Sequence, residues 1–96
     1  MVIRLVASMK IREGKMEEAK EALKEVLKMI KATEPGTLEY MAHTVRGVDN
    51  EIVFIEKYKD GDSLKAHSKN LGKNMGKFMA FVEPGPPNIK VCFPIE

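Results

Sequence analysis

Ninety-six residues, 44% hydrophobic and 31% charged, describe a single globular domain over residues 1–96, and a chain this short buries so limited a share of its surface that self-association is expected. Sixteen basic and 14 acidic residues are mixed along the chain for a net charge of +2, a balance that argues against a nucleic-acid or membrane-surface partner. No apolar run approaches the ~18 residues of a membrane span, no charged segment followed by an apolar one opens the chain, and the single cysteine, Cys92, has no internal partner, so a cytoplasmic setting is expected.

In chain order, Val2 to Ile11 reads as a strand, rich in β-branched and apolar residues and ended by Arg12-Glu13-Gly14. Gly14 stands where a helix N-cap is needed. Met16, Ala19, Leu23, Val26, Leu27 and Ile30 then recur at helical spacing, which predicts a helix from Lys15 to Thr33 with one buried stripe. Glu17-Lys20, Glu21-Lys24 and Glu25-Lys28 fall on its wet face. Pro35 disfavours helical geometry at Glu34, so the chain reverses there. Two strands follow, Leu38 to Val45 and Ile52 to Tyr58, with Gly47-Val48-Asp49-Asn50 as their connection. In the second, Ile52, Phe54 and Tyr58 alternate with Val53 and Ile55, so both faces are apolar and both need cover.

Asp60 or Asp62 can cap a short helix carrying Leu64 and His67, and a further helical stretch places Leu71, Met75, Phe78, Met79 and Val82 on one face. Gly72, Gly76 and Ala80 form a small-residue row whose plain reading is close backbone packing. Pro84-Gly85-Pro86-Pro87 stops the helix, and Ile89, Val91, Phe93 and Ile95 alternate as a last strand. The order βαββαβ predicts an α+β, ferredoxin-like fold with a four-stranded antiparallel sheet covered by helices on one side. The other apolar face predicts a partner, most simply a second copy.

Few residues offer chemistry. His43 and His67 lack metal-ligand spacing, no glycine-rich phosphate loop is present, and Cys92 has no adjacent histidine, so no metal, no cofactor and no thiol nucleophile are expected. Lys65, Lys69, Lys73 and Lys77 make a basic row without interleaved aromatics, read as a solvated face. Glu56 stands out, because strand alternation puts its carboxyl between Phe54 and Tyr58. A carboxylate there is paired, or its pKa is raised by desolvation. His67 is either a core histidine bonded to Glu56 or a carbonyl, or a base.

The run Ile52 to His67, with Glu56, Tyr58, Asp60, Asp62, Leu64, Ala66 and His67, resembles the third strand and following helix of the antibiotic biosynthesis monooxygenase family. Glu34-Pro35-Gly36 leading into Thr37-Leu38-Glu39-Tyr40 resembles that family's helix-to-strand passage, and with the Gly14-Lys15 helix start the resemblance covers essentially the whole chain. It implies a homodimer in the form of a dimeric α+β barrel, with a small-molecule pocket between sheet and helices of each subunit. It also implies oxygenation of a small quinol or polyphenol without metal, flavin or haem. An electron-rich hydroquinone, once deprotonated, reduces oxygen itself, and the protein binds, deprotonates and excludes water.

On that basis His67 is expected as base, Tyr58 as donor to a substrate oxygen, and Glu56 as the group orienting His67 or a water. Phe54, Met75, Phe78 and Met79 are expected to line an apolar pocket for an aromatic ligand. A tightly filled core there favours a structural role. Two departures stand out: polyketide-oxidising members carry Asn and Trp where Phe54 and Tyr58 stand, and the haem-degrading members' Trp and helix histidine have no counterpart in a chain that lacks Trp and has no His between Ser68 and Val82. The alternatives are isomerisation of a small carbonyl compound, which a base beside a donor also serves, and a ligand-binding or stress-related dimer without turnover.

Overall fold

The computed structural model describes residues 1–96. Strand β1 (Ile3–Lys10) leads to helix α1 (Met16–Thr33), strands β2 (Thr37–Val45) and β3 (Val48–Tyr58), helices α2 (Gly61–Asn74) and α3 (Gly76–Met79), and strand β4 (Asn88–Cys92). The strands form one antiparallel sheet in the order β2-β3-β1-β4, which is the ferredoxin-like βαββαβ topology. Central β1 and β3 bury Ile3, Leu5 and Ala7 with Ile52, Phe54, Glu56 and Tyr58 on the helix side, a direct outcome of period-2 alternation. Onto that face α1 lays Ala19, Leu23, Val26 and Ile30, one stripe at i, i+4, i+7 and i+11.

The local chemistry of the helix ends decides how the polar residues are placed. Asp60 caps α2 by accepting from the Ser63 backbone N–H at 2.8 Å and from its hydroxyl at 2.7 Å. Asp60→Ala is expected to lower the urea midpoint of unfolding, whereas Asp60→Asn, which retains the accepting oxygen, is expected to leave it nearly unchanged. Gly36 is held for another reason. A Cβ there would stand 2.6 Å from Ser63 Cβ, so only glycine lets the Glu34–Gly36 turn seat on the face of α2 that carries Ser63, His67 and Asn70.

Several boundaries differ from the sequence reading, each for a physical reason. β3 begins at Val48, not Ile52, because Arg46-Gly47 alone makes the turn, with Gly47 at φ 81°; Asp49 and Asn50 are strand residues despite their turn propensity. Lys15 is the N-cap of α1, while Gly14 supplies the left-handed φ of 76° before it. Glu17–Lys20 and Glu21–Lys24 form ion pairs, whereas Glu25 and Lys28 do not. A Cβ at Gly72 or Gly76 would meet nothing within 4 Å, so these glycines mark no close backbone contact within the subunit. The last strand stops at Cys92, leaving Phe93 and Ile95 exposed, and Cys92 itself is only half-buried.

Candidate functional site

A buried polar cluster lies between sheet and helices, built from residues far apart in the chain. β3 supplies Glu56 and Tyr58; Glu56 sits in the middle of the sheet, with Leu5 of β1 on one side and Tyr40 of β2 on the other. α2 supplies His67 and Asn70, and the turn after α1 supplies Glu34 and Thr37. His67, Glu56 and Tyr58 are 3%, 4% and 0% exposed. Polar groups this deep require partners, and the network is almost closed.

His67 Nδ1 lies 2.7 Å from Glu34 Oε1, the same oxygen that accepts from the Thr37 hydroxyl at 2.8 Å. Glu34 Oε2 accepts from the Asn70 amide at 2.6 Å. On the other side of the ring, Nε2 lies 3.7 Å from Glu56 Oε1, too far for a hydrogen bond, and it has no hydrogen-bond partner at all. The Tyr58 hydroxyl donates to that same Glu56 oxygen. The rings of Tyr40 and Tyr58 stand 5.0 and 5.1 Å from the imidazole, fixing its plane.

The two carboxyls are driven in opposite directions. Burial opposes ionisation of Glu34, but hydrogen bonds from Asn70, His67 and Thr37 outweigh it and hold the group below the usual carboxylate range. Glu56 has only Tyr58 as donor, so burial, aided by the nearby Glu34 charge, pushes it up to about 7. Burial and the neighbouring Glu56 likewise raise both Tyr58 and Tyr40, whose phenols stay protonated at neutral pH. The cluster therefore combines one firm carboxylate, one carboxyl that titrates near neutrality, and an imidazole whose Nε2 is unpaired.

The sequence had brought Glu56, Tyr58 and His67 together, and the fold does so too, with altered pairings. Glu34, read from sequence only as a turn residue, is the direct partner of His67 in the place expected of Glu56. The Tyr58 O–H is taken by Glu56, so it is not free to meet a substrate oxygen in this arrangement. Phe54, Met75 and Phe78 are core side chains, with Phe54 and Phe78 in edge contact at 6.1 Å, and they border none of the surface clefts beside the Pro84–Pro87 run, the Glu34–Asn70 turn, the α1–α3 seam, the β2–β3 turn or the start of β2. Met79 departs further: 43% exposed, it borders a groove beside Pro84–Pro87, because Met75, Phe78 and Val82 hold the buried stripe and Met79 falls at its margin. Tyr58, His67 and Phe78 are all buried, so the interior between them is closed to solvent.

The polar cluster does reach the surface. Glu34, Thr37 and Asn70 line an open cleft of about 550 Å³ together with Lys59, Asp60 and Ser63. Lys65, Lys69 and Lys73 are exposed along α2, and Lys77 is exposed beyond the break, as a solvated row. No group of three or more His, Cys, Asp or Glu side chains is arranged to hold a metal ion, and no helix is long and apolar enough to cross a membrane.

Comparison with known proteins agrees with this architecture. A crystal structure of a candidate antibiotic biosynthesis monooxygenase from Caulobacter crescentus superposes with a TM-score of 0.88 at 24% identity, covering 99% of this chain and 91% of the other. SnoaB of Streptomyces nogalater, a cofactor-independent oxygenase, superposes with a TM-score of 0.81 at 14% identity over 99% of this chain and 94% of its own. A conserved Methanosarcina mazei protein matches at 0.83 and 18% identity, covering 96% and 91% of the two chains. Identities this low establish the shared fold alone. No curated protein gives a significant sequence match. The family model described as antibiotic biosynthesis monooxygenase matches residues 2–83, from the start of β1 past the end of α3, and so takes in Glu34, Glu56, Tyr58 and His67; the chain belongs to the antibiotic biosynthesis monooxygenase family.

Proposed function

We propose that the protein is a cofactor-independent monooxygenase acting on a small quinol or polyphenol, with His67 as its base. The observation that carries this reading is Nε2 of His67, buried and unpaired, beside a carboxyl that titrates near 7. A side chain placed in that way can take a phenolic proton at neutral pH. The resulting electron-rich anion reduces oxygen directly: one oxygen atom bonds to a ring carbon that carries hydrogen and becomes its carbonyl, and the other leaves as water with two hydrogens, one from that carbon and one from the substrate's hydroxyl, while the ring is oxidised to the hydroxyquinone level. Family membership and the fold shared with SnoaB support the reaction class. The reading requires the side chains between sheet and helices to part, since Nε2 is closed over in this structure. Oxygen uptake across a panel of hydroquinones tests it; uptake indistinguishable from the buffer rate with every member rejects it.

A second reading is favoured by the closed interior. In it the Glu34–His67–Glu56–Tyr58 cluster is a structural polar core of a non-catalytic, ligand-binding dimer. Melting temperatures raised by quinols in the absence of turnover would select this reading over the first.

Both readings include a homodimer. On the face of the sheet turned away from the helices, Val6, Met41 and Ile55 are neighbours across three strands and are 40%, 53% and 42% exposed. Beside β1, Ile89 and Val91 share the helix side with Ala7 and Leu5, yet both remain about half exposed. Apolar area of this kind gains free energy when covered, roughly 25 cal/mol per Å². Sedimentation at micromolar concentration is expected to give twice the 10.8 kDa chain mass, and a stable monomer would contradict the assignment. A cytoplasmic setting accords with the unpaired Cys92.

A further inference from the structure

We propose that Glu34 is the positioning residue for His67, holding the imidazole as the Nδ1–H tautomer and thereby directing the ring's lone pair, on Nε2, toward Glu56 and the substrate oxygen. The catalytic half of this inference rests on the oxygenase reading; the tautomer half stands on geometry alone. An ionised carboxylate only accepts hydrogen bonds. Glu34 has three partners within 2.8 Å, the Thr37 hydroxyl and His67 Nδ1 on Oε1 and the Asn70 amide on Oε2, and that set is satisfied when each of them donates. Nδ1 therefore carries the hydrogen, and in the neutral ring Nε2 carries none. A ring with the opposite tautomer would set two acceptors 2.7 Å apart at Glu34 and aim an N–H at Glu56, 3.7 Å away.

The position of Glu34 is itself built. Its backbone N–H closes α1 on Ile30 O at 3.0 Å, its carbonyl accepts from Thr37 N at 3.1 Å, and Gly36 permits the turn to seat against α2. The groups facing His67 from each packed element are Glu34 at the end of α1, Tyr40 on β2, Glu56 and Tyr58 on β3, and the neutral Asn70 one turn along α2. None of them is basic. His67 is thus the one potential cation between two carboxyls, and the side to which its proton is tied is set by whichever carboxyl is hydrogen-bonded to it. That carboxyl is Glu34.

The test is ¹⁵N NMR of the histidine rings in the full-length protein, with solvent-exposed His43 as internal reference. In the wild type the neutral ring of His67 is expected to show the protonated signature at Nδ1 and the unprotonated one at Nε2. In Glu34→Leu, which removes the accepting oxygens, the single-tautomer signature is expected to be lost, and Glu34→Asp, which keeps a carboxylate, is expected to restore part of it. A wild-type proton on Nε2 overturns the proposal without need of any variant, so the test survives a Glu34→Leu protein that fails to fold. An unchanged tautomer in folded Glu34→Leu overturns it equally. With a quinol that supports oxygen uptake, kcat per folded molecule is expected to fall at least about 10-fold in Glu34→Leu and to be partly recovered in Glu34→Asp, and an unchanged kcat in folded Glu34→Leu rejects the catalytic half. Absence of uptake in the wild type removes the oxygenase reading and the catalytic half with it, while the ring signals still decide the tautomer.

Discussion

Replacing His67 with alanine is expected to lower quinol-dependent oxygen uptake per folded molecule by about 100-fold to 10,000-fold, the usual range for loss of a general base. The substitution also destabilises, since it removes a buried side chain and its 2.7 Å hydrogen bond to Glu34, a charge-assisted bond of the kind worth about 1.5–3 kcal/mol. Glu34 keeps Thr37 and Asn70 as donors, so its charge is not stranded and the fold is expected to persist at moderate temperature. A lowered melting temperature alone therefore says nothing about catalysis. The decisive quantity is turnover normalised to folded protein, measured well below the variant's midpoint. Turnover equal to that of the wild type under those conditions would refute the catalytic role and leave His67 as a structural histidine.

The fold was legible in the sequence because its elements are strongly periodic. The α1 stripe and the alternation through Phe54, Glu56 and Tyr58 each fix which face turns inward, and the Pro84–Pro87 run separates the last helix from the last strand. Alternation also sufficed to bury Glu56. The partner of His67 was not legible in the same way, because Glu34 lies 33 residues upstream and reaches the imidazole only through the turn that Gly36 allows. A local signal was nonetheless present. Glu34 is the C-cap of α1, where a carboxylate faces the negative end of the helix dipole, and an acidic residue at the unfavourable end points to compensation from elsewhere. Met79 was misplaced for the opposite reason. Its spacing from Met75 fits the apolar stripe, but Met75, Phe78 and Val82 fill the inward face and leave Met79 at its edge. Turn propensity similarly hid the start of β3, since cross-strand pairing holds Asp49 and Asn50 in extended form against their local preference.

Glu56→Gln is expected to abolish most of the protein's loss of stability between weakly acidic and neutral pH. In the folded state the Glu56 carboxyl titrates near 7, against an ordinary value of 4.5. Between these two values the folded protein keeps a proton that the unfolded chain has released, so the unfolded state binds fewer protons and stability falls as pH rises. Below 4.5 both states are protonated and the effect is absent; above about 7 both are ionised and the full cost of the buried charge is reached. A displacement of this size corresponds to about 3 kcal/mol. Glu34 acts in the opposite sense, its lowered pKa removing stability only as pH falls through the acid range, and so it does not mask the window. Glutamine retains an oxygen to accept from Tyr58 but cannot ionise, so the variant is expected to be the more stable protein at pH 8 and to lose its advantage by pH 5. Urea unfolding of both proteins across pH 5–8 measures the difference directly and cancels titrations they share. Parallel stability curves over that range would mean that Glu56 ionises in the folded protein as an exposed carboxyl does, and that burial does not hold its proton.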